Sequence, residues 1–399
     1  MPVAIVAAVV VAEAAVALMW PRHGVIDPAP VRAASYFSRA ELERARDFRR
    51  PQVVISLAAL AVELGVLALL VRRPPRRLRG PFRRPILVAA AAGALLSVLV
   101  NLAPLPLNVV ARQRAKDVGL VTQSWPGYAF DLVRSWAITA VFAAIGAAIA
   151  VALIRRMPRA WWIPGSVVIV AFGAVMTYAG PIVLDPIFNR FTPLPAGQTR
   201  SDVLDLARRA GVDVGEVYVM DASRRTTAAN AYVNGLGRTK RVVLYDTLLE
   251  EFSRDETRLV VAHELGHVHY DDVPRGLLWF AIVTPFGLFA ASRMTARLAP
   301  AEERVGPAVL PALALSVSVM VLLITCVSNQ LSRRVEARAD SFSLRITGES
   351  DAFISFQRRI ALQNVSDPDP WAWSSFLFGT HPTTIDRIGI GVAAREEDR

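Results

Sequence analysis

The 399-residue sequence predicts a mainly α-helical integral membrane protein with a small α+β zinc domain. Three observations lead there. Hydrophobic residues make up 53% of the chain and mean hydropathy is +0.38, too apolar for an ordinary soluble protein. Seven apolar runs, 3–20, 53–71, 85–103, 135–154, 161–184, 276–292 and 306–328, are of the length that crosses a bilayer. Between the fifth and sixth lies one long polar stretch, and within it His263-Glu264-Leu265-Gly266-His267 reads H-E-x-x-H.

The elements follow in order. No basic residue precedes the first run and the first arginine is Arg22, so a retained anchor is expected rather than a cleaved leader. Glu13 and Glu63 fall inside the first two runs. Carboxylates there face protein or a water-filled cavity, or else sit near the end of a shifted helix; both readings stay open. Residues 21–52 read as a polar loop in which Ser38 and Glu41 form a capping box that opens a short helix. An Arg/Pro loop spans 72–84, and Pro-Leu-Pro-Leu at 104–107 ends or kinks the third segment. The polar stretch suggests a helix at 199–210, strands near 215–221, 228–235 and 240–245, then the motif helix, N-capped by Ser253 with Glu256 at N3. Helices are expected at 330–346 and 350–363. The chain thus divides into five N-terminal spans (1–184), a first catalytic part (185–275), a hairpin of spans six and seven (276–328) and a second catalytic part (329–399).

The net charge is +11, and all but two of the 45 basic residues are arginine. Such a balance raises nucleic-acid binding. Clustering of arginines in the 72–84 loop fits membrane-flanking charge better, so no nucleic-acid partner is expected beside the lipid bilayer. A lone cysteine, Cys326, excludes an intrachain disulfide and a thiolate metal site.

His263 and His267 lie one helical turn apart on one face, where two imidazoles reach one zinc ion at about 2.0–2.1 Å. Glu264 follows the first and is placed to take a proton from the attacking water. The bland alternative, stray histidines on a surface helix, fits poorly with a chain of only five histidines. His269 points about 200° away from His267 and is excluded as a ligand. A catalytic zinc needs a third protein ligand. The hairpin of spans six and seven returns the chain to the side of the motif, where Glu336 and Asp340 share a helix face. Glu336 as ligand with Asp340 orienting a histidine is one reading; surface ion pairs with neighbouring arginines, Arg333 and Arg334 among them, is the other.

At these residues the chain resembles the type-I CAAX prenyl protease family, membrane-embedded zinc metalloendopeptidases. The resemblance rests on Asp185 through Leu194, on Asn230-Ala231-Tyr232 through Leu236-Gly237, on Lys240 through Leu249, on both zinc blocks, and on His381-Pro382 with Arg387. Thr383 departs from it, where the family commonly has a second proline. The resemblance implies one Zn2+ per chain on His263, His267 and Glu336. It implies His381 as oxyanion donor, Arg387 as its support, and Asn230 beside an edge strand that holds substrate, although Asn230 also reads as a turn cap. It further implies seven helices around an intramembrane chamber that Glu13 and Glu63 line, a cell-membrane location and a catalytic domain on the cytoplasmic side. Loop arginines at 72–84 and Arg155, Arg156 and Arg159 count the other way; Arg22, Arg333 and Arg334 count with it. A monomer acting on peptides or membrane protein segments is expected. A heat-shock-type membrane protease and a non-catalytic sensor or binding scaffold on the same fold are the alternatives.

Overall fold

The computed structural model describes residues 1–235 and 240–397. Leu236 and Gly237, part of one block of the resemblance, lie outside the described residues. The membrane part begins with α1 (Pro2–Met19), α2 (Arg39–Arg72), α3 (Pro85–Leu102), α4 (Leu105–Asp117), α5 (Trp125–Arg156) and α6 (Trp162–Val183). It continues after α7 (Asp185–Phe188), β1 (Phe191–Pro193), α8 (Gln198–Arg209), β2 (Glu216–Met220), β3 (Ala231–Asn234), β4 (Arg241–Tyr245), α9 (Asp246–Glu251) and α10 (Arg254–His269). Then come α11 (Asp272–Leu298), α12 (Leu310–Thr347), α13 (Ser350–Gln363), α14 (Ala372–Phe378) and α15 (Thr384–Glu397). Among the described residues, seven helices are long and apolar enough to cross a membrane, each overlapping one of the seven apolar runs. The protein is a multi-pass membrane protein.

Two boundaries differ from the sequence reading. The capping box at Ser38 opens no short helix but the 34-residue α2, which runs through Pro51 into the second span. Proline removes the bond to the carbonyl four residues earlier. Arg114 of α4 donates to that carbonyl, Asp47, at 2.7 Å, so the break is repaired from outside the helix. Likewise 330–346 is no separate helix but the end of α12, which has Pro311 in its first turn and a left-handed Gly348 (φ +73°) at its close. With no proline or glycine between, the helix crosses the apolar-to-polar boundary unbroken. In addition, α5 starts ten residues earlier than its apolar core, at the Ser124 cap, and α4, β1, α14 and α15 had no signal that the sequence reading used.

The spans are neighbours in the order α12, α2, α3, α5, α6, α11 and back to α12, a closed ring, with α1 laid against α11 and α12. Gly93 lets α3 and α5 touch: a Cβ there would stand 2.6 Å from the Ala143 carbonyl oxygen. At the end away from α10, an apolar cluster of Ala89, Val151, Trp161, Leu288, Val309 and Leu310 closes the ring. At the other end a cavity of about 800 Å³ opens between α2 and the C-terminal segment, from Gln52 and Leu60 to His381 and Arg387. Glu13 accepts from Gln330 at 3.2 Å, and neither it nor Glu63 lines this cavity.

The sheet order is β1-β2-β4-β3, with β2 and β4 parallel and the other pairs antiparallel. Val242 and Leu244 of β4 join Leu206, Val261, Leu265, Phe342 and Phe356 in one core. Residues on both sides of the hairpin α11–α12 therefore share an interior.

Candidate metal centre

Helix α10 has the start the sequence indicates. Ser253 Oγ accepts from Glu256 N–H at 3.3 Å, and Glu256 Oε2 accepts from Ser253 N–H at 2.8 Å. Glu256 also takes Arg359 of α13 at 2.5 Å, which ties the cap to the core. One turn before the C-terminus, His263 Nε2 and His267 Nε2 stand 3.2 Å apart. Glu336, on α12, brings Oε2 to 3.3 Å from His263 Nε2 and Oε1 to 3.6 Å from His267 Nε2. A tetrahedral ion with bonds of about 2.0–2.1 Å spaces its ligand atoms about 3.3 Å apart. One donor atom from each of the three residues lies within 4.8 Å of the other two, close enough to share one such ion, and Glu336 Oε2 is a buried acceptor with no hydrogen-bond partner among the described residues. The sequence brings all three together across more than seventy residues.

Each histidine is held from behind. His263 Nδ1 meets Asp340 Oδ1 at 2.9 Å, and Asp340, whose side chain is fully buried, takes Arg387 at both oxygens, Nε to Oδ2 at 2.7 Å and Nη2 to Oδ1 at 2.5 Å. His267 Nδ1 meets Asp272 Oδ2 at 2.9 Å, and Asp272 takes Arg338. Asp340 was legible by its spacing; Asp272 and Arg338 were missed. Burial disfavours a charged His263, but Asp340 and Glu336 outweigh it and hold its pKa well above the usual range. Burial pushes the Glu264 carboxyl up, against the pull of His263 and His267.

His381 Nε2 lies 3.2 Å from Glu336 Oε2, and its Nδ1 meets Thr380 Oγ1 at 2.9 Å. Its loop is clasped to α12: Asn329 donates to the Leu377 carbonyl at 2.8 Å, Ser332 to Thr380 at 2.8 Å and Arg333 to Gly379 at 2.8 Å. Among the described residues Arg333 pairs with no acid, and Arg334 pairs with Asp27 at 2.9 Å; neither reaches Asp340, which takes Arg387. His269 turns away and meets the Ala210 carbonyl at 2.9 Å, as its helical phase requires. Asn230 is exposed at the start of β3, its Oδ1 accepting from Ala231 N–H at 2.9 Å. β3 is an edge strand and touches α10.

Gly266 sets the spacing of the two helices. A Cβ there would meet Phe342 Cδ1 at 3.1 Å and the Ala339 Cα at 3.4 Å. Gly266→Val is expected to force α10 and α12 apart, at a cost of about 1–3 kcal/mol, and to lower bound metal, as read by elemental analysis of the purified protein.

Seven helices able to span a membrane, with two histidines and a glutamate gathered on α10 and α12, define a membrane metallopeptidase. Residues 27–190 match the CAAX prenyl protease N-terminal family, described as five membrane helices, and residues 193–390 match peptidase family M48. An uncharacterized metalloprotease of Bacillus subtilis is 31% identical over 301 residues, 74% of this chain and 71% of its own. CAAX prenyl protease 1 of Saccharomyces cerevisiae is 27% identical over 328 residues, 74% of this chain and 70% of its own. The crystal structure of S. mikatae Ste24p superposes with a TM-score of 0.75 over 97% of this chain and 99% of that one, at 18% identity, and so shares the fold. The chain belongs to peptidase family M48: it is a membrane metalloprotease of the CAAX prenyl protease 1 type, acting on peptides with a metal cofactor. The heat-shock-type and non-catalytic alternatives are not favoured.

Proposed function

We propose that the protein is a zinc endopeptidase that cuts extended peptides or membrane protein segments, with His263, His267 and Glu336 holding one Zn2+. The observation that carries this is the convergence of His263 Nε2 and His267 Nε2, 3.2 Å apart, on the Glu336 carboxylate, whose two oxygens lie 3.3 and 3.6 Å from them. Imidazole nitrogens with a single carboxylate are a donor set that suits zinc. When bound, the metal supplies a Lewis acid that polarises water and the scissile carbonyl. Glu264 takes the proton of the attacking water and passes it to the leaving amine, and burial, which raises its pKa, strengthens it as the base of the first half. His381 donates to the developing oxyanion. Arg387 acts through Asp340, which fixes the ring of His263 with Nε2 towards the metal. Substrate adds as a strand to the free edge of β3, with Asn230 at its end.

We further propose that residues 185–275 and 329–399 act as one catalytic unit, on the cytoplasmic side of the cell membrane, in a monomer with no nucleic-acid partner. Prenylated C-terminal peptides, which the name of the yeast relative implies for that protein, are one substrate class; unmodified membrane peptides are the other. Mass spectrometry of products from prenylated and unprenylated forms of one peptide tests this. The reading requires chelator-sensitive cleavage restored by zinc, and cleavage that survives complete metal removal would end it. Arg387→Ala is expected to lower zinc affinity 10–100-fold, measured by competition with a chromophoric chelator.

A further inference from the structure

The two histidines are held by matching arms, and the second was not visible in the sequence. His263, Asp340 and Arg387 form one; His267, Asp272 and Arg338 form the other. On the proposed reading of His263 and His267 as ligands, we infer that Asp272 is a positioning residue that fixes the His267 ring for metal, and that the left-handed turn at Asp271 is the device that delivers it.

The geometry of a continuous helix would forbid this contact. At 3.6 residues per turn, residue 272 would stand about 140° round from His267, facing away. The chain instead leaves the helix at Tyr270 and passes through Asp271 at φ 54°, ψ 40° before α11 begins at Asp272. A non-glycine residue in that region is strained, and such strain gathers where function needs a particular backbone. Here the reversal swings Asp272 back until Oδ2 is 2.9 Å from His267 Nδ1. A carboxylate acceptor at Nδ1 fixes the neutral tautomer with Nδ1 protonated, which leaves the Nε2 lone pair to the metal.

Asp272 is itself immobilised. Its other oxygen takes Arg338, whose side chain is 5% exposed. The Arg338 guanidinium stacks 4.2 Å over the Tyr270 ring, and the Tyr270 hydroxyl accepts from Arg345 at 3.2 Å. Arg338 sits two residues after Glu336 on α12. The arm therefore links the motif helix, the first residue of the sixth span and the helix that carries the third candidate ligand. Asp272 is not the N-cap of α11; that position is Asp271, whose side chain makes no cap bond.

The test uses full-length protein in detergent, with zinc affinity by chelator competition and the visible spectrum of the cobalt(II)-substituted protein as readouts independent of turnover. Asp272→Ala and Asp271→Val are expected to lower zinc affinity 10–100-fold and to shift the cobalt bands. Asp271→Asn, which tolerates the left-handed region, is expected to match the wild type in both. Asp272→Asn keeps an acceptor and is expected to fall between. Wild-type affinity and spectrum in Asp272→Ala, or in Asp271→Val should Asp272→Ala fail to fold, overturn the inference. His267→Ala separates the two levels. If it retains zinc, the ligand assignment itself is wrong; if it loses zinc while Asp272→Ala behaves as wild type, only the positioning role fails.

Discussion

A Glu264→Gln protein is expected to hold one zinc per chain and to lose peptide cleavage by roughly 10²–10⁴-fold, the range a positioned acid–base group contributes. The amide has the size of the carboxylate but cannot accept a proton at neutral pH. Glu264 is not among the three groups whose donor atoms converge, so metal content is expected to stay unchanged. Loss of turnover should appear in kcat with KM little altered, because the group acts in the chemical step rather than in strand addition. The raised pKa of the buried carboxyl bears on the same step: burial favours the neutral acid, so the carboxylate takes a proton from water more readily than an exposed one would. A zinc-loaded Glu264→Gln protein that cuts at the wild-type rate would falsify the proposed mechanism.

Glu336→Ala should act at the opposite end, on the metal. It removes one of three donor groups and leaves two histidines facing an empty position, so zinc per chain should fall from one towards zero at low free zinc. Thermal unfolding supplies the second readout. A metal that binds only the folded protein stabilises it by about 4 kcal/mol at a thousandfold excess over its dissociation constant. Zinc should therefore raise Tm of the wild type and leave Glu336→Ala nearly unmoved. Unchanged stoichiometry would remove Glu336 from the ligand set. Ser253→Ala offers a contrast, since losing that cap costs about 1 kcal/mol of stability without touching the metal groups.

What was legible in the sequence was whatever has a period or a topological consequence. His263 and His267 declare themselves by one helical turn, and Glu336 by the even number of crossings that returns the chain to their side. Asp340 follows from the same helix face. What lay hidden depends on contacts without a period. The resemblance names Arg387 as a support of His381, but no spacing signals that it reaches Asp340 from 47 residues away. Asp272 carries no signal of its own: on an unbroken helix it would face away from His267, and one left-handed residue, Asp271, reverses that. Arg333 offered two readings on charge alone, yet it serves three backbone carbonyls of the His381 loop. The length of α2 and α12 was underestimated for one reason: a change from polar to apolar composition was read as an end of helix, whereas helix ends are set by caps and breakers. Pro51 would have supported that error, had Arg114 not satisfied the carbonyl it orphans.

The central claim is that the motif helix and the end of the helix that forms the seventh span bring three donors to one metal. Anomalous X-ray scattering from crystals of the zinc-loaded protein, measured on both sides of the zinc edge, tests it most directly. The account predicts one peak per chain, about 2.0–2.2 Å from His263 Nε2, His267 Nε2 and a Glu336 carboxylate oxygen. A peak at any other residues, or none between these three in a protein that still cleaves peptide, would contradict it.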